Sequence, residues 1–510
     1  MVDQTPDAHS QHRLSKALLA EKGPQRSNDL TLEQRGIRPV APEHRYGTTK
    51  RLMSLWFSAQ VNPTTMFVGV LGTASFIGLG WRWGLVAIVV GNLLGSITVA
   101  MLGVIGTRTG SPQLNQSRES FGRTVHFPAA LTWITQIGFE ALESIFAAEA
   151  LHVLTGMSFY LGLVITFVCM GVISVMGYEA IHLFQKIMAP VLLVLFAIVT
   201  AKTFLQGPHI VQHLPSGSFE GGFVLMVAIV LSYALSWGVV PSDYSRYLPK
   251  DSATASTFSA IFFPMVIGMT WIEILGFAAS SLLKGLGTMA GINQIMGAGA
   301  LGDIAMIGMF VGTISIMTVT DYSGAMAAQA LGVPIIRPVA TAISAACAFG
   351  IAAWLNTGST GVKFEDVLLL ISYWIAPWTA VVLIDWARRS KHLQWGQHAA
   401  ILESAYSDLR AGWREWSAVA AVVIGFAVSM PFSDTTTGFT IASAHPAFKW
   451  FFGGFANHFM AGGTTAFYVG FVVGAAVYLG LLGIGRSRSR TATPRLETVA
   501  ATVTQQYSTQ

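Results

Sequence analysis

Gln136, Glu140 and Glu143 stand inside an otherwise apolar stretch, PAALTWITQIGFEALESIFAAEAL (128–151). Their spacing of i, i+4 and i+7 puts all three on one stripe of an α-helix. Apolar surroundings favour the neutral carboxyl, so such a group can take up and release a proton near neutrality, as proton coupling requires. A carboxylate there can also accept hydrogen bonds from the amine or amide edge of a bound ring, and the plainer use is a bond between helices. A second apolar stretch, LWFSAQVNPTTMFVGVLG (55–72), carries Gln60 and Asn62 beside Pro63. Proline removes a backbone donor and clashes with the preceding turn, which frees carbonyls near Ala59 for other partners. A third, SYALSWGVVPSDYSRYLP (232–249), has Ser236, Trp237, Gly238 and Pro241 in close order. The fourth, GDIAMIGMFVGTISIMTVTDYSGAMAAQALG (302–332), holds Thr313, Ser315, Thr318, Thr320, Asp321 and Gln329. Hydroxyls of Thr313 and Ser315, with carbonyls freed around Ala59 and Asn62, would make an oxygen cage for Na⁺. Bonding of those hydroxyls back to their own helix is the competing use.

These groups need a lipid-spanning framework. Of 510 residues, 53% are hydrophobic and 11% charged, against roughly 25% charged in a soluble domain. Mean hydropathy is +0.56. Apolar runs of about 20 residues recur, the length a helix needs to cross hydrocarbon with every backbone group paired. Twelve spans are predicted, near 52–72, 81–105, 128–153, 159–177, 184–205, 221–240, 256–282, 302–330, 337–355, 366–386, 416–431 and 464–484. The segment 438–463, interrupted by His445, Pro446, Lys449 and His458, reads as a loop with an interfacial or re-entrant piece.

The charges test that count. With the N-terminus in the cytoplasm, 25 of the 30 Lys and Arg residues fall on the inner side. Only Arg82, Lys202, Lys284, Lys363 and Lys449 fall outside. A missed helix would invert every later loop, so both termini are expected inside. The net charge of +5 then records orientation, and no nucleic-acid partner is expected. Cys169 and Cys347 lie in apolar spans and read as packing; no disulfide framework, metal spacing or cofactor is expected. The first 50 residues hold no apolar signal-peptide core, and residues 1–30 and 486–510 read as disordered tails. Glu149, near the outer end of its span, reaches for the interface, and Glu273 reads as a structural partner. Asp303 suits a helix N-terminus. Asp243 and Arg246 are expected to pair.

Broken helices in the first and sixth spans, each the first of a group of five, point to an inverted-repeat transporter. Ala189-Pro190 and Ala376-Pro377 echo the same symmetry in the fifth and tenth. Polar groups at this depth are expensive in lipid unless they face partners or a cavity.

The ordered motifs also resemble a known family. QRGIRPVAPEHRYG (34–47) precedes the first span and LWFSAQVNPTTMFVGVLG lies in it. SFGR (120–123), GYEAIHLFQKIMAP (177–190), SDYSRYLP (242–249), DYSGAMAAQALG (321–332) and YWIAPWTAVVLIDW (373–386) follow. From about Glu33 to about Leu482 the chain resembles the nucleobase–cation symporter family, and within it the fungal-type purine-cytosine permease branch. The resemblance implies an all-α membrane protein with a LeuT-like 5+5 inverted repeat plus two extra helices. Its parts would be a cytoplasmic tail (1–50), two five-helix repeats (51–205 and 206–390), two additional helices with loops (391–485) and a second cytoplasmic tail (486–510). It also implies a heterocyclic solute at mid-membrane, coupled to H⁺ or Na⁺.

By position, GFEALE (138–143) replaces a Gly-Trp-Phe-Gly run and a polar residue. The resemblance thus makes Phe139 a stacking ring and Glu143 a solute ligand, both departures from the family pattern. Phenylalanine still stacks on a flat ring, and a carboxylate favours a donor-rich edge such as an amino-pyrimidine or amino-purine. Trp237 takes the place of a second stacking ring, beside Ser236. Relatives that use Na⁺ place adjacent small and hydroxyl residues on the eighth span. Here Thr313-Ile314 and Ser315-Ile316 lack a Ser-Thr pair, which favours H⁺.

The expected function is therefore import of a nucleobase or related heterocycle across the cytoplasmic membrane by cation symport and alternating access. Solute would bind Gln60, Asn62, Phe139, Glu143, Ser236 and Trp237, and the cation Ala59, Glu140, Glu143, Thr313, Ser315 and Asp321. Allantoin, hydantoin, uracil or a thiamine-type vitamin are alternative solutes. An amino-acid carrier of the same fold is disfavoured because AQVNP makes a poor carboxylate nest. An intramembrane enzyme is disfavoured by the absence of HExxH and GxSxG and by the incomplete ALGD (300–303), and a channel by the absence of a repeated pore ring.

Overall fold

The computed structural model describes residues 37, 39–205, 221–283, 286–332, 335–388, 390–407, 412–434, 445 and 448–486. Both predicted tails, apart from residues 37, 39–50 and 486, lie outside this set, as do 438–444, 446 and 447 of the segment 438–463. Every regular element among the described residues is helical.

The first predicted span is two helices, α1 (Thr49–Gln60) and α2 (Pro63–Leu71). Thr48 caps α1. Asn62 caps α2 with its side-chain oxygen on the Thr65 amide at 3.0 Å, and Pro63 occupies the first helical position, where a missing N–H costs nothing. Next come α3 (Trp81–Thr109), α4 (His126–Thr155), α5 (Phe159–Met176) and α6 (Tyr178–Phe204). The sixth predicted span is α7 (Gly222–Ser236), a 3₁₀ turn at Trp237–Val239, and the five-residue α8 (Pro241–Ser245). The remaining helices are α9 (Thr254–Ala279), α10 (Thr288–Met296), α11 (Ala300–Ala330), α12 (Arg337–Leu355), α13 (Thr360–Ser372), α14 (Ile375–Arg388), α15 (Trp395–Ser407), α16 (Trp413–Ser429), α17 (Gly454–Phe459) and α18 (Ala466–Arg486).

Ten helical stretches among the described residues are long and apolar enough to cross a membrane. They match ten of the predicted spans. The other two are present as helices: the first falls short because it is cut at Val61-Asn62, and the third is the polar-striped α4. Residues such as Val168 and Val172 on α5 and Val194 on α6 are about 60% exposed, as lipid-facing side chains are.

Two expectations need correction. The helix predicted at 184–205 starts at Tyr178, because Glu179 and His182 are buried in its first turns instead of ending it. The proline echo is uneven as well. Pro190 lies inside a continuous α6, whereas the tenth span divides at Tyr373-Trp374 into α13 and α14.

Helix α9 packs on α1, α2 and α3, and α3 packs on α7, so the two broken helices share one group with α3 and α9. Helix α4 forms the most extensive pair with α11, and both pack on α5 and α12. Helix α6 bridges α1 and α11, while α14, α16 and α18 pack together. Backbones meet where glycines allow it. A Cβ on Gly69 would stand 1.9 Å from the Glu273 carbonyl oxygen, and one on Gly276 1.9 Å from that of Met66. Gly69→Ala must therefore push α2 off α9. We expect a loss of about 1–3 kcal/mol from overpacking, read as a lower unfolding temperature in detergent.

Candidate functional site

At the first break the chain satisfies itself. The Asn62 Nδ2 donates to the Ala59 carbonyl at 2.7 Å and to Thr65 Oγ1 at 3.0 Å. The carbonyl expected to be free for a cation thus already has an amide donor. Thr65 Oγ1 in turn lies 2.9 Å from the Tyr233 hydroxyl on α7, which ties the two broken helices together. Gln60, fully buried, packs its Cβ where Gly268 of α9 leaves room, and neither atom of its amide has a hydrogen-bond partner.

Trp237 sits on the 3₁₀ turn of the second break. Its ring is edge-on to Trp56 of α1, centroids 5.7 Å apart, and its buried Nε1 has no partner. Ser236 Oγ donates to the Tyr233 carbonyl at 2.7 Å. Gln60, Asn62, Ser236 and Trp237 therefore belong to one junction of α1, α2 and α7.

The acidic stripe faces α11. Thr320 Oγ1 donates to the Glu143 carboxylate at 3.2–3.3 Å. Phe139, one helical turn from Glu143, is buried, and its ring touches no other aromatic ring among the described residues. Glu140 is buried with both carboxylate oxygens unpartnered. Asp321 Oδ2 accepts from the hydroxyls of Ser174 on α5 and Thr341 on α12, the latter at 2.8 Å. Tyr233 hydrogen-bonds at the first break. Nothing in its sequence context set Tyr233 apart from an ordinary packing tyrosine.

The proposed Na⁺ ligands are differently employed. Thr313 Oγ1 donates back to the Met309 carbonyl at 2.9 Å, the competing use weighed above. The Ser315 carbonyl accepts from Thr318 Oγ1 at 2.8 Å and from Gln185 Nε2 at 2.7 Å. Gln185 reaches in from α6, and its Oε1 accepts from Ser58 Oγ on α1. An amide thus bridges α1 and α11 beside Ser315, whose own hydroxyl is buried without a partner. Glu273 accepts from Asn92 Nδ2 at 2.6 Å, the structural role expected of it. No group of three or more His, Cys, Asp or Glu suited to a metal ion occurs among the described residues.

One end of the site is sealed. Arg51 at the start of α1 pairs with Glu179 at the start of α6 at 3.0 Å, and the Tyr46 hydroxyl donates to the same carboxylate at 2.8 Å. Burial, neighbouring tyrosines and that carboxylate push the Tyr46 phenol above its ordinary range. Beneath lie Tyr178, Tyr244, Tyr247 and Tyr322, all buried, and Arg246 donates to the hydroxyls of Tyr247 and Tyr322 at 3.0 and 3.2 Å. Asp243 Oδ1 accepts from the Gln113 backbone N–H at 2.8 Å.

Two interrupted helices tied together at their breaks, with buried polar groups around the interruptions, describe a membrane transporter, not an enzyme. The solved structures agree on the fold: Mhp1, a nucleobase-cation-symport-1 family transporter in a closed conformation with bromovinylhydantoin bound, is 15% identical and superposes with a TM-score of 0.71 over 91% of this chain and 98% of its own. The chain belongs to the family described as permease for cytosine/purines, uracil, thiamine, allantoin, whose profile matches residues 39–457. Among its relatives, YxlA of Bacillus subtilis, named as a purine-cytosine permease, is 26% identical across 89% of this chain and 96% of its own. The purine-cytosine permease fcyB of Emericella nidulans is 25% identical across 88% of each.

Proposed function

We propose that this protein imports a nucleobase of the cytosine or purine type, or a closely related heterocycle, across the cytoplasmic membrane by proton symport and alternating access. The observation that carries this is the junction of two broken helices with a buried carboxylate, Glu143, held by Thr320 one turn from Phe139. A flat ring enclosed there would stack on Phe139 and Trp237 and offer its amine or amide hydrogens to Glu143, with Gln60 supplying a second pair of hydrogen-bonding atoms. Asn62 shapes the break and lies beside the solute. The names of the two relatives favour a cytosine or purine solute over allantoin, hydantoin, uracil or a thiamine-type vitamin. The relative from Emericella nidulans is compatible with the fungal-type branch.

Twelve spans with both termini cytoplasmic remain our reading of the topology, supported by the charge asymmetry of the loops. The grouping of α1, α2, α3, α7 and α9 against α4, α5, α11 and α12 fits a LeuT-like bundle and scaffold with 5+5 symmetry, and α16 and α18 would be the two additional helices. On that orientation the Arg51–Glu179 pair and the tyrosine cluster close the inner side. For the cation we favour H⁺ over Na⁺, because the eighth span has Thr313 followed by Ile314 and Ser315 by Ile316 and no adjacent Ser-Thr pair.

The test is uptake of radiolabelled cytosine, adenine, hypoxanthine, uracil, allantoin and thiamine by cells expressing the protein, across pH and with Na⁺ replaced by choline. Saturable uptake of an amino-bearing base that rises as external pH falls and ignores Na⁺ is expected. Uptake of none of these compounds would reject the proposal, and strict Na⁺ dependence would reject its cation.

A further inference from the structure

Glu140 stands apart from the other acids near the site. Glu143, Glu273 and Asp321 each accept at least one hydrogen bond, whereas neither oxygen of Glu140 accepts any and the residue has no exposed surface. The ionisable groups acting on it are Asp321 from α11, Glu143 from its own helix and Cys347 from α12. Asp321 keeps Oδ1 unpartnered while the Ser174 and Thr341 hydroxyls hold Oδ2. Arg337, at the start of α12, acts on Asp321, donates to the Ser174 carbonyl at 2.9 Å and lies 4.7 Å over the Tyr322 ring. Helices α4 and α11 run antiparallel here. Thr320 meets Glu143, Asp321 acts on Glu140, and a Cβ on Gly324 would fall 3.1 Å from that of Gln136. The polar groups therefore descend in order from the solute level toward Arg337.

We propose that Glu140 and Asp321 together hold the coupling proton, behind the solute site and not within it, and that Glu143 is left to bind the solute. This rests on the transport function proposed above. The Ser174 and Thr341 hydroxyls that flank Asp321 are turned to its Oδ2, not to Glu140, and a metal cation needs several converging oxygens. A proton needs none. Thr320 against Glu143 and Gly324 against Gln136 bracket Asp321 at the level of Glu140 on the facing helix, and neighbouring carboxyls in a buried site do not both ionise readily.

Coupling follows from charge. Like charges one helical turn apart repel, so a proton on the Glu140–Asp321 pair lets Glu143 stay ionised and accept hydrogen bonds from the ring. By linkage, solute on Glu143 strengthens proton binding by the same factor. One proton enters from the outer solution with each solute. It leaves from Asp321 to the inner solution past Gln136 and Arg337, and Arg337 supplies the positive charge that faces the pair once the proton has gone.

The experiment uses the full chain in proteoliposomes, with [³H]adenine and [¹⁴C]cytosine as probes and an internal pH dye. In wild type, an inward proton gradient should drive accumulation, and added solute should acidify the lumen. In Glu140→Gln and in Asp321→Asn, both accumulation and acidification should be lost, leaving movement of solute down its own gradient, seen as counterflow, that no longer depends on pH. Accumulation and solute-evoked acidification persisting in both variants would overturn the proposal. If Glu140→Gln does not fold, Asp321→Asn carries the same two readouts. Wild type that moves neither probe, even in counterflow, would instead overturn the transport reading and this inference with it.

Discussion

Replacing Glu143 by alanine is expected to lower the apparent affinity for solute about 30-fold or more, since losing one partner of a buried charged contact costs about 2–5 kcal/mol. The carboxylate is almost fully buried and, among the described residues, its one hydrogen-bond donor is Thr320, at 3.2–3.3 Å, so its remaining acceptor capacity is available to a ligand. Glutamine keeps the shape and separates two effects. Its amide accepts through one oxygen only, so Glu143→Gln should weaken amino-bearing bases and spare, or improve, rings that present a carbonyl there. Competition of unlabelled bases against labelled uptake measures this. Equal losses for every ring in Glu143→Gln would make the residue a structural support and not a ligand.

Phe139→Ala should come next in size. A stacked aromatic contributes about 1–3 kcal/mol per base, hence roughly 5-fold to 150-fold in affinity. Phe139 has no aromatic neighbour among the described residues, so the loss falls on solute binding more than on a ring cluster. Phe139→Trp keeps a flat aromatic face at this position and should retain uptake. Trp237→Ala is a less clean comparison, because it also removes the contact with Trp56. If Phe139→Ala and Trp237→Ala both left the apparent affinity unchanged, the solute would lie elsewhere.

How much of this was legible in the sequence depended on the range of the interaction. The first break could be read because its cause is local: asparagine supplies the cap and proline the first helical residue within two positions. The stripe of Gln136, Glu140 and Glu143 was visible for the same reason, since helix periodicity is a property of the segment itself. The start of α6 was misplaced because Tyr178, Glu179 and His182 look like loop residues until Arg51 and Tyr46, over 100 residues away, are seen to satisfy Glu179. Gln185 carried no signal at all. Its meaning comes from Ser58 and Ser315 on two other helices. Tyr233 was hidden in the same way, as one more aromatic in an apolar helix. The local bonds of Ala59 and Thr313 could also be foreseen: Asn62 reaches back three residues to one carbonyl, and Thr313 bonds to its own preceding turn.

The central claim is that polar groups stranded halfway across the membrane enclose a flat heterocycle. A structure of the purified protein determined with bound cytosine or adenine tests it most directly. The ring should lie against Phe139 and Trp237 with an amino group within hydrogen-bond distance of Glu143. Density for the base in any other place, with Glu143 still occupied only by Thr320, would contradict the account.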